Sequence, residues 1–275
     1  MAEIDGALAH LTDTNLDRDE AIHEVRKRIK KIRAILRLVQ YELGQELYRQ
    51  ENICYRDAGR RLANLRESAV MVETLDKLAD YVADAPAAGA LGKVRTALVQ
   101  AHQSFSRRVF DEEKIMAATA ATLRAGRRRL LTWPPVGDDF AALAKGVRRV
   151  YQRGRRRLAA AYARPMPEAF HEWRKEVKYL WYQVTILEAL QPGTLLIDAA
   201  GLHELSDHLG DDHDLYILRR TLQERPEIVA GAPELQQALT ALGLKRRAGI
   251  EAAIRPLGER LYAKEPDVFV KRINA

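Results

Sequence analysis

Two stretches of the 275-residue chain gather side chains that grip anions, in one repeated pattern. HEVRKRIKKIR runs from His23 to Arg33, and HEWRKEVKYLW from His171 to Trp181. Both read H-E-x-R-K-x-x-K, 148 residues apart (171 − 23). Lysine offers a mobile point charge, and arginine a planar bidentate donor for phosphate oxygens. Histidine donates hydrogen bonds, and a nearby anion favours its cationic form. The chemistry these residues suit is capture of a phosphate-like polyanion.

Such a grip requires the side chains to share one side of an element. On a helix, Val25, Ile29, Ile32, Leu36 and Val39 fall in steps of four and three and form a core face. His23, Arg26, Lys27, Lys30, Arg33 and Arg37 follow the same steps and form a basic stripe. The second stretch repeats the design. Trp173, Val177, Leu180, Val184 and Leu187 make its core face; His171, Arg174, Lys175 and Lys178 make its basic face. Like charges at i,i+4 repel by roughly a few tenths of a kcal/mol per pair. The only nearby acid of the first stretch, Glu24, lies off the stripe, so the stripe is expected to be self-repelling until an anion neutralises it. A solvated basic face, paired with acids of neighbouring helices, is the alternative. If a pseudo-twofold axis relates the two stretches, both stripes line one groove or channel and concentrate positive potential there.

The rest of the chain is consistent with this arrangement. Ala, Leu, Arg, Glu and Lys dominate, all strong helix formers. No alternating strand pattern occurs, and breakers fall at 84–92, 132–139, 164–167, 191–193 and 224–234. The Pro-Pro-x-Gly break within 132–139 divides the chain into helical halves, 1–132 and 138–275. A second block supports a duplication: RLANLRESAVMVETL (61–75) aligns with HLGDDHDLYILRRTL (208–222) at an offset of 147. There Leu62 matches Leu209, Glu67 matches Asp214, Val70 matches Ile217 and Leu75 matches Leu222.

Composition bounds the function. Hydrophobic residues make up 47%, enough for a sizeable core. Lys and Arg outnumber Asp and Glu by 45 to 38, which favours anionic partners. The single cysteine, Cys54, excludes an intramolecular disulfide and fits a reducing compartment; it reads as a core thiol. The start, MAEIDGALAH, lacks a signal-peptide pattern, and no apolar run approaches the roughly 20 residues of a membrane span. The expectation is a cytoplasmic protein.

The duplicated histidine motif, with LGDDHDLYIL after its second copy and VYQRGRRRL before it, resembles the CHAD family, the conserved histidine α-helical domain. The resemblance runs from about Asp19 to the FVKRI tail. It implies an all-α fold of two four-helix bundles related by an internal duplication, with a basic surface or central channel. It also implies binding of inorganic polyphosphate and, for some members, association with polyphosphate granules. Onto this chain it carries His23, Arg26, Lys27, Lys30 and Arg33 from the first copy, and His171, Arg174, Lys175 and Lys178 from the second. Two positions depart from the pattern: Trp181 stands opposite Arg33, and Glu67 replaces the usual aspartate. The E-x-E-x-K signature of the triphosphate-hydrolysing domain that precedes many members is absent, so a stand-alone member is expected.

Other residues remain open. HELSDHLGDDHD (203–214) is rich in metal-ligand types, and His203, Asp207 and Asp211 share a helical face. The competing reading is an acidic segment whose Asp214, with Glu67, pairs with the basic stripes. Arg246 falls in a gap of the apolar stripe Leu235, Leu239, Leu242, Ile250, Ile254, Leu257 and Leu261. It is either paired with a carboxylate or reaches the basic channel as a further polyphosphate ligand. In 148–158, Arg149, Arg153 and Arg156 lie away from Val147, Val150, Gly154 and Leu158 and read as a solvated or accessory anion surface. No P-loop and no G-x-S-x-G occurs, so no enzyme and no cofactor is expected. Two rivals to polyphosphate binding stand: a nucleic-acid-binding protein, which would add exposed stacking rings where aromatics are only 7%, and a metal-dependent phosphohydrolase built on 203–214.

Overall fold

The structure is a computed structural model and describes residues 1–81, 88–112, 114–137, 139–192, 197–229 and 232–273. The all-α expectation holds: no strand occurs among the described residues. The first half contains α1 (Ala2–Thr12), α2 (Arg18–Leu38), α3 (Gln40–Leu43), α4 (Gln45–Arg61), α5 (Ala63–Asp80), α6 (Ala88–Glu112) and α7 (Ile115–Leu130). The second contains α8 (Ala141–Ala163), α9 (Pro167–Leu190), α10 (Ala199–Glu224), a 3-10 turn (Pro226–Val229), α11 (Pro233–Leu261) and α12 (Pro266–Ile273).

The two basic helices start where local chemistry sets them. Asp17 caps α2, its carboxylate accepting from the amides of Asp19 at 2.9 Å and Glu20 at 3.3 Å. Pro167 opens α9 at a position where no amide is needed. The expected breaks at 132–139, 164–167, 191–193 and 224–234 separate helices, whereas 88–92 of the break expected at 84–92 belong to α6; of these breaks, 84–87, 138, 193 and 230–231 lie outside the described residues. Two further breaks occur in sequence that favours helix. Gly44, with φ 78°, divides α3 from α4, and Lys114, with φ 46°, precedes α7. A left-handed lysine is uncommon and gives no sequence signal.

Within each half a flanking helix covers the basic one, α1 on α2 and α8 on α9. A second pair follows, α5 with α6 and α10 with α11. The halves meet where α2 packs on α9 and α8, and α5 on α10. Both anticipated core faces are buried, and the buried apolar side chains form one continuous core from Ile4 to Ile273. The boundary at 132–138 is thus a break in helix, not in the core: Trp133 and Val136 pack against it.

Two close approaches fix α2 against the second half. Gln183 of α9, fully buried, donates to the Ala34 carbonyl of α2 at 3.2 Å. Gly146 of α8 lies on the end of α2, where an added Cβ would sit 2.0 Å from the Leu38 carbonyl oxygen. That neighbour is backbone and cannot turn aside. Gly146→Ala is therefore expected to lower stability by about 1–3 kcal/mol, read as a lower urea midpoint at unchanged slope. Gly243→Ala, in α11 with nothing within 4 Å of the added methyl, should instead raise it by up to about 1 kcal/mol.

Candidate polyanion-binding site

The α2–α9 contact brings the two basic stripes together. Burial, then the fields of Arg174, Arg26 and Lys178, push the Lys30 ammonium well below the usual lysine range. Burial and Arg174 lower Lys178 in the same way, with Lys27 adding to the effect. Burial also lowers Arg26, against the opposing field of Glu67 and with Arg66 and Arg174 nearby. Cations of both helices thus act on one another across the α2–α9 contact.

Neutral partners hold most of them. Arg26 donates to the Gly59 carbonyl at 2.6 Å. Arg33 and Arg37 both donate to the Asn52 side-chain oxygen of α4, at 3.3 and 3.1 Å. Both guanidinium groups also lie over the Tyr179 ring of α9, at 5.7 and 3.9 Å. Lys178 stands 5.0 Å from the Trp181 ring centre, and Arg174 runs along Gly210 of α10. Among the described residues, none of Arg26, Lys30, Arg33, Arg37, Arg174 and Lys178 has a carboxylate within 4.0 Å. The buried Nε atoms of Arg26, Arg37 and Arg174 have no protein acceptor.

The remaining motif residues are engaged differently. Lys27 pairs with Glu24 at 3.1 Å, and Lys175 pairs with Glu172. The motif glutamates therefore reach their own lysines at i,i+3, which corrects the reading of Glu24 as off the stripe. His23 is exposed, with burial and then Arg66 holding its imidazole below the usual histidine value. His171 instead packs on His213 of α10, their Nδ1 atoms 3.2 Å apart. Burial, then Arg174 in each case, holds His171 down to about 4 and His213 to about 2. Glu67 and Asp214 lie near the stripes but make no ion pair with them within 4.0 Å among the described residues. Burial raises the Asp214 carboxyl, and Arg174 opposes that rise.

A family model described as CHAD domain matches residues 2–223. The chain belongs to the CHAD domain family. No curated protein and no solved structure matches it. The match starts ahead of Asp19 and ends within α10, so α11 and α12 of this CHAD protein lie beyond it.

Arg246 belongs to that outer part. It is exposed, 4.7 Å from the Tyr81 ring centre, and does not occupy the inward gap of α11. Arg247 does: Leu239, Gly243, Arg247, Ile250 and Ile254 are the buried positions. Arg247 is held by Asp212 at 2.8 Å and Glu251 at 3.0 Å. Gly243, four residues after Leu239, was the signal that places the gap at 247.

In segment 203–214 the candidate ligands point to separate partners. His203 pairs with Asp207 at 3.1 Å, Asp211 with Lys77 at 2.8 Å, and Asp212 with Arg247. Among the described residues, no three His, Cys, Asp or Glu side chains are grouped to hold a metal. His102, silent in the sequence, links three helices through Asp19 at 2.7 Å and Ser68 at 2.8 Å. Cys54 is half-buried, not in the core, and its Sγ accepts from Arg129 at 3.2 Å.

The histidine pair sets a pH dependence. Unfolded imidazoles take protons near pH 6.5, whereas the folded pair refuses them until about 4 and below. The unfolded state thus binds more protons over that window, so the pair's contribution to stability falls as pH drops from 6.5 towards 4. Glu251, raised to about 7 by burial and Asp212, acts in the opposite sense. Comparison with a variant isolates the histidines: His213→Gln should lose less stability than wild type between pH 7 and 4.5 in urea unfolding.

Proposed function

We propose that this CHAD protein binds inorganic polyphosphate, without hydrolysing it, in the groove between α2 and α9. The observation that carries the reading is the set of four cations, Arg26, Lys30, Arg174 and Lys178, that act on one another across the contact, with Arg33 and Arg37 continuing the α2 row; none of the six has a carboxylate at ion-pair distance among the described residues. Arg26 to Arg37 spans about 16 Å of helix at 1.5 Å per residue. A row of that length suits a linear chain of phosphates better than one isolated phosphate. Membership of the CHAD family, which is associated with polyphosphate binding, supports the same ligand.

Nucleic acid is less well matched. Base stacking needs open ring faces. Here Tyr179 is buried beneath Arg33 and Arg37, and Trp181 is flanked by Tyr182 and His203. No described helix is long and apolar enough to cross a membrane, and association with polyphosphate granules follows from the ligand itself.

The test is a titration with long-chain polyphosphate, with RNA and single-stranded DNA of matched charge as competitors. Phosphate release is followed in the same tubes with and without Mg²⁺ or Mn²⁺. Binding without release, undisplaced by nucleic acid, is the expected result. By analogy with single-stranded nucleic acid, six neutralised phosphates give a log K against log salt slope of about −4. Lys30→Met/Lys178→Met should weaken binding at least about tenfold while raising the melting temperature of the free protein, because two half-buried, mutually repelling charges are removed. Lys27→Ala/Lys175→Ala, whose lysines already have glutamate partners, should weaken binding less. Displacement by nucleic acid, or binding unchanged in the Lys30/Lys178 variant, would overturn the reading.

A further inference from the structure

A second cationic surface adjoins the first. The outward face of α8 carries Lys145, Arg148, Arg149, Arg153, Arg156 and Arg157, and with Tyr41 these line an open groove of about 810 Å³. Three of the six are paired: Arg148 with Asp267 at 2.5 Å, Arg153 with Glu176 at 2.7 Å and Arg157 with Glu172 at 3.7 Å. Lys145, Arg149 and Arg156 are exposed and have no carboxylate within 4.0 Å among the described residues. Arg149 donates only to the Tyr41 hydroxyl, at 3.4 Å.

This face joins the α2–α9 groove through two glutamates of α9. Glu172 holds Lys175 of the basic stripe on one side and Arg157 of α8 on the other. The buried Glu176 holds Arg153 and feels the charge of Arg37. Cations therefore continue on both sides of a narrow acidic seam. The opposite flank is closed. The helix that covers α2, α1, has no lysine or arginine, and its Glu3 takes Arg28 at 3.1 Å and Lys31 at 3.4 Å. On these two flanks, positive potential therefore continues over α8 and not over α1.

We propose that the α8 face is an exit track for polyphosphate, engaged only by chains long enough to extend beyond the α2–α9 groove. The inference rests on the polyphosphate reading of that groove. Lys145 to Arg156 adds about 16 Å of helix to the contact. For a chain already held in the groove, this second contact is intramolecular, so it multiplies affinity without needing strong binding of its own. Short chains cannot use it.

The experiment compares tripolyphosphate with long-chain polyphosphate on wild type and on Lys145→Ala/Arg149→Ala/Arg156→Ala. An unchanged urea midpoint serves as the check of folding. The expected result is unchanged tripolyphosphate affinity, long-chain affinity reduced about tenfold or more, and a long-chain salt slope shallower by about 2. Equal loss for both lengths, or no loss for either, overturns the track. So does a variant that keeps long-chain binding but loses RNA or anionic vesicles, which would make the face a surface for those partners. Wild type that binds neither polyphosphate overturns the central reading and the track with it. Wild type that binds both and is matched by the variant overturns the track alone.

Discussion

The structure depends on one constraint: the core faces of α2 and α9 cannot be buried without setting their basic stripes side by side. Val25, Ile29, Ile32 and Leu36 on one helix, and Trp173, Val177, Leu180 and Val184 on the other, are all almost fully buried. Each such side chain contributes roughly 1.5–3 kcal/mol on leaving water. Repulsion between two cations near a surface costs on the order of 1–2 kcal/mol at separations of about 8–16 Å. Apolar burial therefore wins, and the charges are carried to positions they would not choose. Gln183 on the Ala34 carbonyl and Gly146 on the end of α2 fix the register of that contact.

How the cations are held follows from the same constraint. A carboxylate partner would position an arginine and cancel its charge together. Asn52, Tyr179, Trp181 and the Gly59 carbonyl position without cancelling. Carboxylates are used at the rim instead, where Glu24 and Glu172 hold Lys27 and Lys175. The two halves then diverge in their second helix. His171 meets His213, while the residue 147 positions before His213 is Arg66, which lies by His23 and forms a two-bonded pair with Glu73. One histidine is thus half-buried against a neutral ring and the other left exposed beside a cation.

The helical faces were legible because a core face and a charged stripe leave periodic marks, and all ten anticipated core positions of α2 and α9 are buried. The stripes were legible for the same reason. Their anchors were not. Asn52 and Tyr179 lie on helices other than α2, and nothing in their own neighbourhoods marks them as partners of Arg33 and Arg37. Arg246 was misplaced by one position because a glycine, Gly243, sits in the apolar stripe and leaves no hydrophobic mark. The breaks at Gly44 and Lys114 were hidden because the surrounding residues all favour helix. The likeness of the halves rests on the two sequence offsets; α3 and α4 follow α2, whereas no described helix lies between α9 and α10.

A site built this way is poorly satisfied when free. Lys30 loses solvation and faces three cations, so its proton is held less tightly than in water. The His171–His213 pair is kept neutral by burial first, and then by the same field, with Arg174 foremost among the charges. A polyanion bound there, as proposed, would reverse both effects, since it favours the charged form of every group it touches. Binding and stability are then coupled through one set of side chains. The free protein carries a repulsion that its core can tolerate, and a ligand that binds only the folded state relieves it and stabilises the fold by mass action. The charges that weaken the free fold are thus the ones proposed to hold the ligand.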